Sequence, residues 1–445
     1  MTRAMNFRRA AKQFSGLAIA ALALDCALLQ AQESTPETGD SADGMYRLEI
    51  SDTRKDIRVD RALTHIVTMR EQLNAELIEL TEVPAPPFAE GARAAHFARM
   101  LREAGLTDVT IDGAGNVIGR RHGNGGDRVV AYTAHLDTVF PAGTDVNVSI
   151  DEDTYKAPGI ADNTRGLIVV LAVLRALEYA GIETEADILF IGDVGEEGLG
   201  DLRGVKHLFR NGGDRIDSMI AVDGGKTERL IFGGVGSHRY RVTYKGPGGH
   251  SWGAFGTANP HHALGRAIAA FVEQGPDAVA GQPKVSYNIG RMGGGTSVNS
   301  VPFESWMEVD LRSGSQDRLD AIDEVFQAAV QKALAEENAA RTRGPELTVD
   351  VKRVGTRPAA KGDIESALVQ RAAAAMREFE IEPDFAISST DANYPISLGI
   401  PAITMSRGGV SEGSHSLHET WQDKNSHVAI QIGLLALIAE AGLAD

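Results

Sequence analysis

From about residue 59 onward, short apolar runs alternate with longer stretches in which apolar residues recur every three to four positions. The runs suit strands buried on both faces, and the 3.6-residue period suits amphipathic helices laid over them. Four runs stand out: Arg128 to Ala134, Asp187 to Ile191, Ser218 to Val222 and Pro401 to Met405. Their alternation with helical patterns predicts an α/β sandwich, a mostly parallel sheet flanked by helices. Between about 237 and 355 the order changes to strand 238–245, helix 259–273, strand 284–290, strand 304–312, helix 315–337 and strand 346–353. That β-α-β-β-α-β order is ferredoxin-like. Its position predicts an inserted lid or dimerisation domain, 237–355, dividing a catalytic domain into 59–236 and 356–445.

The beginning of the chain departs from this pattern. Arg3, Arg8, Arg9 and Lys12 precede the apolar stretch Leu17 to Leu24, and Gln30, Ala31 and Gln32 follow it. This is the build of a secretory signal peptide over residues 1–31. The apolar stretch is shorter than the ~20 residues a membrane span needs, so the expectation is export to the periplasm or medium with no membrane attachment once the signal is removed. The Glu-, Ser-, Thr-, Asp- and Gly-rich stretch after it predicts a disordered linker over 32–58. Cys26 is the one cysteine and lies in the leader, so the exported protein would carry neither a disulfide nor a thiol nucleophile. The 445 residues include 61 Asp and Glu against 44 Lys and Arg, a formal net charge of −17. Such a chain lacks the clustered cations that phosphate contacts need, which argues against a nucleic-acid partner.

The strand runs deliver chemistry-bearing side chains at their carboxyl ends, where open α/β sheets place their ligand sites. His135 and Asp137 close the first run. Residues two apart on a strand point the same way, so Asp137 is expected to accept a proton from the second ring nitrogen of His135 and fix its tautomer. Asp162 precedes the helical pattern of 163–180, where a plain N-cap is the simplest role. Glu196 and Glu197 are adjacent carboxylates after the second run and need a cation nearby unless solvent surrounds them. Asp223 ends the third run, where a turn-starting Asp is the bland alternative. His415, His418 and Glu419 follow the fourth in what would otherwise be a surface loop. Taken together, two His and three carboxylates in this order make a candidate binuclear site. Nitrogen and oxygen donors suit zinc with a position open for water, and Co2+ or Mn2+ would also suit them.

The segments His135 to Phe140, Gly159 to Asn163, Glu196 to Gly198, Gly248 to Ser251 and Gly293 to Pro302 resemble the di-zinc exopeptidase family of peptidase T, bacterial glutamate carboxypeptidase, aminoacylase and succinyl-diaminopimelate desuccinylase. The resemblance covers nearly everything after residue 60. It implies two Zn2+ per chain, with Asp162 bridging them, His135 and Asp223 completing one site and Glu197 and His415 the other. His415 is preferred to His418 because the family places a Glu four residues after its last ligand, and Glu419 fits that spacing. The resemblance also implies Glu196 as general base and His250 as a donor to the tetrahedral oxyanion, often supplied by the partner subunit of a homodimer. Asn299 and Arg312 match positions that hold the substrate's carboxylate, although Arg312 could instead pair with Asp310. The implied activity is hydrolysis of di- and tripeptides, from either end, with deacylation of N-acyl amino acids as the alternative.

A rival reading takes Gly249 to Gly253 as a G-x-S-x-G elbow with Ser251 as nucleophile and Asp391 and His415 as its partners. The residues after Ser251 lack the helical pattern that an elbow needs. A serine enzyme would also leave Asp162, Glu196, Glu197 and Asp223 without a role. Gly113 to Gly119 carries fingerprint-like glycines without a preceding apolar strand or a following helix, and is read as a hairpin turn.

Overall fold

The computed structural model describes residues 40–125, 127–213 and 215–444. The signal peptide expected over 1–31 lies outside the described residues. An eight-stranded sheet underlies the fold, in the order Asp108–Ile111, Val117–Arg121, Asp187–Asp193, Val129–His135, Ser218–Val222, Ala402–Met405, Arg229–Gly234 and Asp384–Ser388. The four apolar runs of the sequence are four adjacent central strands, and they run parallel. Every residue of Val129–His135 and Ser218–Val222 is buried, as a strand covered on both faces requires. Antiparallel pairing involves the two strands at one side and one contact between Ala402–Met405 and Arg229–Gly234. The Gly113 to Gly119 segment does hold a hairpin, with Ile111 paired to Val117.

The helix Gly166–Ala180 is apolar nearly all round and accordingly buried. It packs with Ile57–Thr68 and Ser426–Ala441 into the main core, around Tyr132, Phe190 and Trp421. A smaller cluster including Leu189, Ile191 and Met219 forms separately. Among the described residues, no helix is long and apolar enough to cross a membrane.

Residues 236–357 form a second layer with a core of its own. Its strands are ordered Val285–Gly294, Glu304–Ser313, Gly236–Lys245 and Thr348–Arg357, every pair antiparallel. With the helices Pro260–Val279 and Gln316–Ala340 this is the ferredoxin-like topology. Buried and half-exposed residues alternate along Glu304–Ser313, so one face of the sheet meets the helices over Tyr240, Tyr244, Phe271 and Phe326.

The linker expected over 32–58 is not disordered from residue 40 on, because Asp40–Lys55 and Ile57–Thr68 are helices. Ile50, Val59, Ala62, Leu63 and Ile66 supply a buried face at helical spacing, and Asp56 caps the second helix by accepting the Arg58 N–H. The polar composition that suggested disorder belongs to the outer faces of these helices.

A polar knot sits inside the second layer. Asp323 accepts hydrogen bonds from Tyr240 Oη at 2.6 Å and Arg353 Nη2 at 2.7 Å, and lies 2.7 Å from His238 Nδ1. Burial alone would raise its carboxyl pKa, but the hydrogen bonds from His238, Tyr240 and Gln327 hold it below the usual carboxylate value. A depressed folded pKa contributes stability that is complete above the unfolded value near 4 and is lost as pH falls through the folded one. Asp323→Asn is therefore expected to cost about 1.5–3 kcal/mol at neutral pH, seen as a lower Tm, with the gap from wild type narrowing in acid. A gap that persists undiminished at the acid end would contradict this role.

Candidate metal and catalytic site

The carboxyl ends of the four central strands converge on one acidic cluster. His135 ends its strand and Asp223 directly follows Ser218–Val222. Glu196 and Glu197 occupy the loop after Asp187–Asp193, and His415 follows the short strand Val410–Glu412 that comes after Ala402–Met405. His135 Nε2 lies 3.5 Å from Asp162 Oδ1, while His415 Nε2 lies 3.4 Å from Asp162 Oδ2 and 2.8 Å from Glu197 Oε1. Donor atoms of His135, Asp162 and Glu197 all lie within 4.8 Å of one another. Asp223 joins through Arg407, whose Nη1 is 3.2 Å from Asp162 Oδ1 and 3.0 Å from Asp223 Oδ1. Four of the five expected ligands, His135, Asp162, Glu197 and His415, are thus brought together with Asp162 in the middle, and Asp223 is reached through the bridging Arg407. Asp162 is not a helix N-cap, because Gly166–Ala180 starts after Arg165 with no side-chain cap.

The cluster fits a divalent metal. His135 is 1% exposed and its Nε2 has no hydrogen-bond partner, a costly state for a buried polar atom. Burial, reinforced by the charge of Asp162, pushes the Asp223 carboxyl up to about 7. Burial raises Glu196 as well, against the opposing pull of Arg357. A cation among these groups relieves both penalties.

Asp137 orients His135 differently from the expectation. His135 Nδ1 is 2.9 Å from the backbone carbonyl oxygen of Asp137, whereas the nearest carboxylate oxygen is 3.8 Å away. The strand ends at His135, so strand alternation does not reach residue 137. A backbone acceptor fixes the same tautomer and leaves Nε2 to face Asp162. The Asp137 carboxylate is engaged elsewhere, accepting the N–H groups of Gly195, Glu196 and Glu197 at 2.7, 3.1 and 2.8 Å. It holds the loop that presents both glutamates. Gly195 has φ 74, and a Cβ there would stand 2.1 Å from Arg203 Nη1, so this turn admits only glycine without rearrangement.

Glu419 serves the Asp162 loop in the same way. It is fully buried and accepts the N–H groups of Gly159, Ala161 and Asp162 at 2.8, 3.1 and 2.8 Å, while burial pushes its carboxyl up to about 7. Glu196 Oε1 accepts Arg357 Nη1 at 2.8 Å, and the same nitrogen lies 3.0 Å from Ser389 Oγ. Arg357 and Arg407 escaped the sequence reading. Arg407 stands two residues beyond a central strand, so the rule that found the acids finds it once bases are included. Arg357 is 161 positions from Glu196 and leaves no local signal.

His250, Asn299 and Arg312 are not part of this cluster. Among the described residues no hydrogen bond or ion pair joins them to it. His250 is exposed, its Nδ1 accepting the N–H groups of Trp252 and Gly253. Asn299 Oδ1 accepts Ser297 Oγ. Arg312 pairs with Asp310 at 2.6 Å, the structural alternative weighed for it. His418 is exposed and lines an open cavity beside the site with Lys156 and Thr144. No serine triad is assembled, since His415 faces Asp162 and Glu197, and Asp391 is buried next to Asp193.

Residues 131–440 match the family model described as peptidase family M20/M25/M40. The chain belongs to this family. Relatives include carboxypeptidase G2 of Pseudomonas sp., 26% identical over 344 residues that make up 74% of this chain and 79% of that protein. The uncharacterised protein YqjE of Bacillus subtilis is 27% identical over 320 residues, 69% and 80% of the two chains. Among solved structures, aminopeptidase PepT from Bacillus cereus shares the fold with a TM-score of 0.64 at 23% identity, covering 84% of this chain and 99% of its own. The dipeptidase Dug1p from Saccharomyces cerevisiae does so with a TM-score of 0.66 at 16% identity, covering 86% and 98%. Membership makes the M20 chain a metal-dependent hydrolase of peptide or amide bonds.

Replacing Asp137 by Asn turns one acceptor oxygen into a donor and leaves a buried N–H of the glutamate loop facing it. Asp137→Asn is expected to weaken metal affinity about 10–100-fold, as loss of a group that orients ligands does, with the circular dichroism spectrum unchanged. Competition against a chelator measures this, and wild-type affinity would contradict the assigned role.

Proposed function

We propose that this M20 protein is an exported binuclear zinc exopeptidase acting on di- and tripeptides. The observation that carries the reading is the position of Asp162 between two histidines, with a further carboxylate available on each side. His135, Asp162 and Asp223 would hold one ion, and Asp162, Glu197 and His415 the other. When bound, such a pair acidifies the attacking water and polarises the scissile carbonyl.

The protein's own groups supply the proton traffic and the positioning. Glu196 sits beside a proposed ligand but is turned to Arg357, which restrains its carboxylate. From there it takes a proton from the attacking water and delivers it to the leaving amine. Arg407 offsets the charge of Asp162 and Asp223. The second layer acts as a lid in this reading. His250 donates to the oxyanion across the interface of a homodimer, and its exposure together with that of Trp252 and Phe255, 88% and 82%, supports a surface meant for another subunit. Asn299 and Arg312 take the substrate's carboxylate, Arg312 exchanging Asp310 for it; a guanidinium pairs with either bidentately. The leader-like residues 1–31 support export.

The names of similar solved structures, among them a tripeptidase from Staphylococcus aureus and the yeast dipeptidase, favour short peptides. Succinyl-diaminopimelate desuccinylase of Xanthomonas oryzae, 28% identical over 206 residues, favours the second reading, deacylation of N-acyl amino acids. Glu196→Gln is expected to keep wild-type metal content while kcat falls at least about a hundredfold. Undiminished turnover would overturn the mechanism. In a panel of dipeptides, tripeptides and N-acyl amino acids, tested before and after chelation and zinc return, the peptides are the expected substrates; turnover of the N-acyl compounds alone would transfer the assignment to a deacylase.

A further inference from the structure

A cavity of about 500 Å3 opens between the helices Ile57–Thr68 and Arg70–Thr81 and the start of Ser426–Ala441. Its polar lining comes from Arg70, Asn74, Arg165, Asp423, Lys424, Asn425, Ser426 and His427. Arg165 is the unusual member. It is 1% exposed, lies 4.8 Å over the Trp421 ring and gives its Nε to the Arg407 carbonyl at 3.2 Å. Its Nη1 and Nη2 have no hydrogen-bond partner, an unfavourable state for a buried cation.

Asp423, the carboxylate in that lining, acts on Arg165 by charge, but its oxygens are already committed. Its Oδ1 accepts Ser426 Oγ, and its Oδ2 accepts Arg70 Nε at 2.7 Å and Asn74 Nδ2 at 2.9 Å. Arg70, Arg165 and Lys424 therefore place three cations around the cavity against Asp423, with Asp153 acting on Arg70 as well. The helix Ser426–Ala441 begins here with no side-chain cap, so the positive end of its dipole and its first N–H groups add to the same field.

We propose that this cavity binds a small oxyanion, a phosphate or a carboxylate, between Arg165, Lys424 and the amino end of Ser426–Ala441. A planar guanidinium with unused N–H pairs matches either group bidentately. The proposal does not depend on which bond the enzyme cleaves. The anion site backs onto the metal site, because Arg165 closes the same turn that carries Asp162 and holds the carbonyl of Arg407, whose guanidinium touches Asp162 and Asp223. An anion on Arg165 braces both segments from behind.

The test is calorimetric titration of the zinc-loaded full chain with inorganic phosphate and, separately, with acetate, at constant ionic strength, alongside thermal melting. At least one anion is expected to bind and raise the Tm, and which of the two does so identifies the ligand class. Lys424→Ala combined with His427→Ala, a change at the mouth of the cavity, is expected to weaken binding at least tenfold, and Arg165→Met to remove it. Should Arg165→Met fail to fold, the double variant decides alone. Absence of binding by both anions overturns the proposal, and so does binding that the double variant leaves unchanged, as an anion held only at the metals would show.

Discussion

Several carboxylates are desolvated together at the carboxyl ends of the central strands, and the surrounding structure is arranged to make that tolerable. Burying one unpaired carboxylate costs several kcal/mol, and neighbours of like charge add to it. The chain answers in two ways before any metal enters. Backbone N–H groups converge on Asp137 and Glu419, three on each. Buried arginines meet others, Arg357 on Glu196 and Arg407 on Asp162 and Asp223. What remains is Glu197, whose carboxylate faces His415, with donors of His135 and Asp162 close by. A site for cations is the residue of that compensation.

The same arrangement ties the second layer to the chemistry. Arg357 is the last residue of that layer's closing strand, and its neighbour Thr356 gives its N–H to Asp201 at 2.7 Å while accepting Lys206 Nζ at 2.8 Å. Arg239 reaches the Gly198 carbonyl. All of these contacts fall on or beside the loop that carries Glu196 and Glu197, so the proposed base is held jointly by Asp137, just beyond a strand of the main sheet, and Arg357 from the second layer. Placement of the second layer and orientation of the Glu196 carboxylate are therefore linked mechanically.

The legible parts of the sequence were those with a local physical signature. Four apolar runs gave the adjacent parallel strands because strands covered on both faces read as unbroken hydrophobic stretches. The ferredoxin-like order was readable from alternating periods, and the candidate metal ligands from acids and histidines at strand ends. Asp323 and Arg357 left no such signature, since their partners are brought by tertiary contact. Asp137 was recognised as important with the wrong contact, because the strand stops two residues before it. The helix Asp40–Lys55 was missed because its polar outer face outweighed its few buried positions in composition. Asn299 and Arg312 were reached only through family resemblance, and within one chain Arg312 rests on Asp310.

The proposed function has two ions sharing Asp162. Crystals of the zinc-loaded protein, measured at energies on either side of the zinc absorption edge, test it most directly. Two anomalous peaks are expected, one contacted by His135, Asp162 and Asp223 and the other by Asp162, Glu197 and His415. A single peak, or a second peak on His418 with His415 unligated, would contradict it.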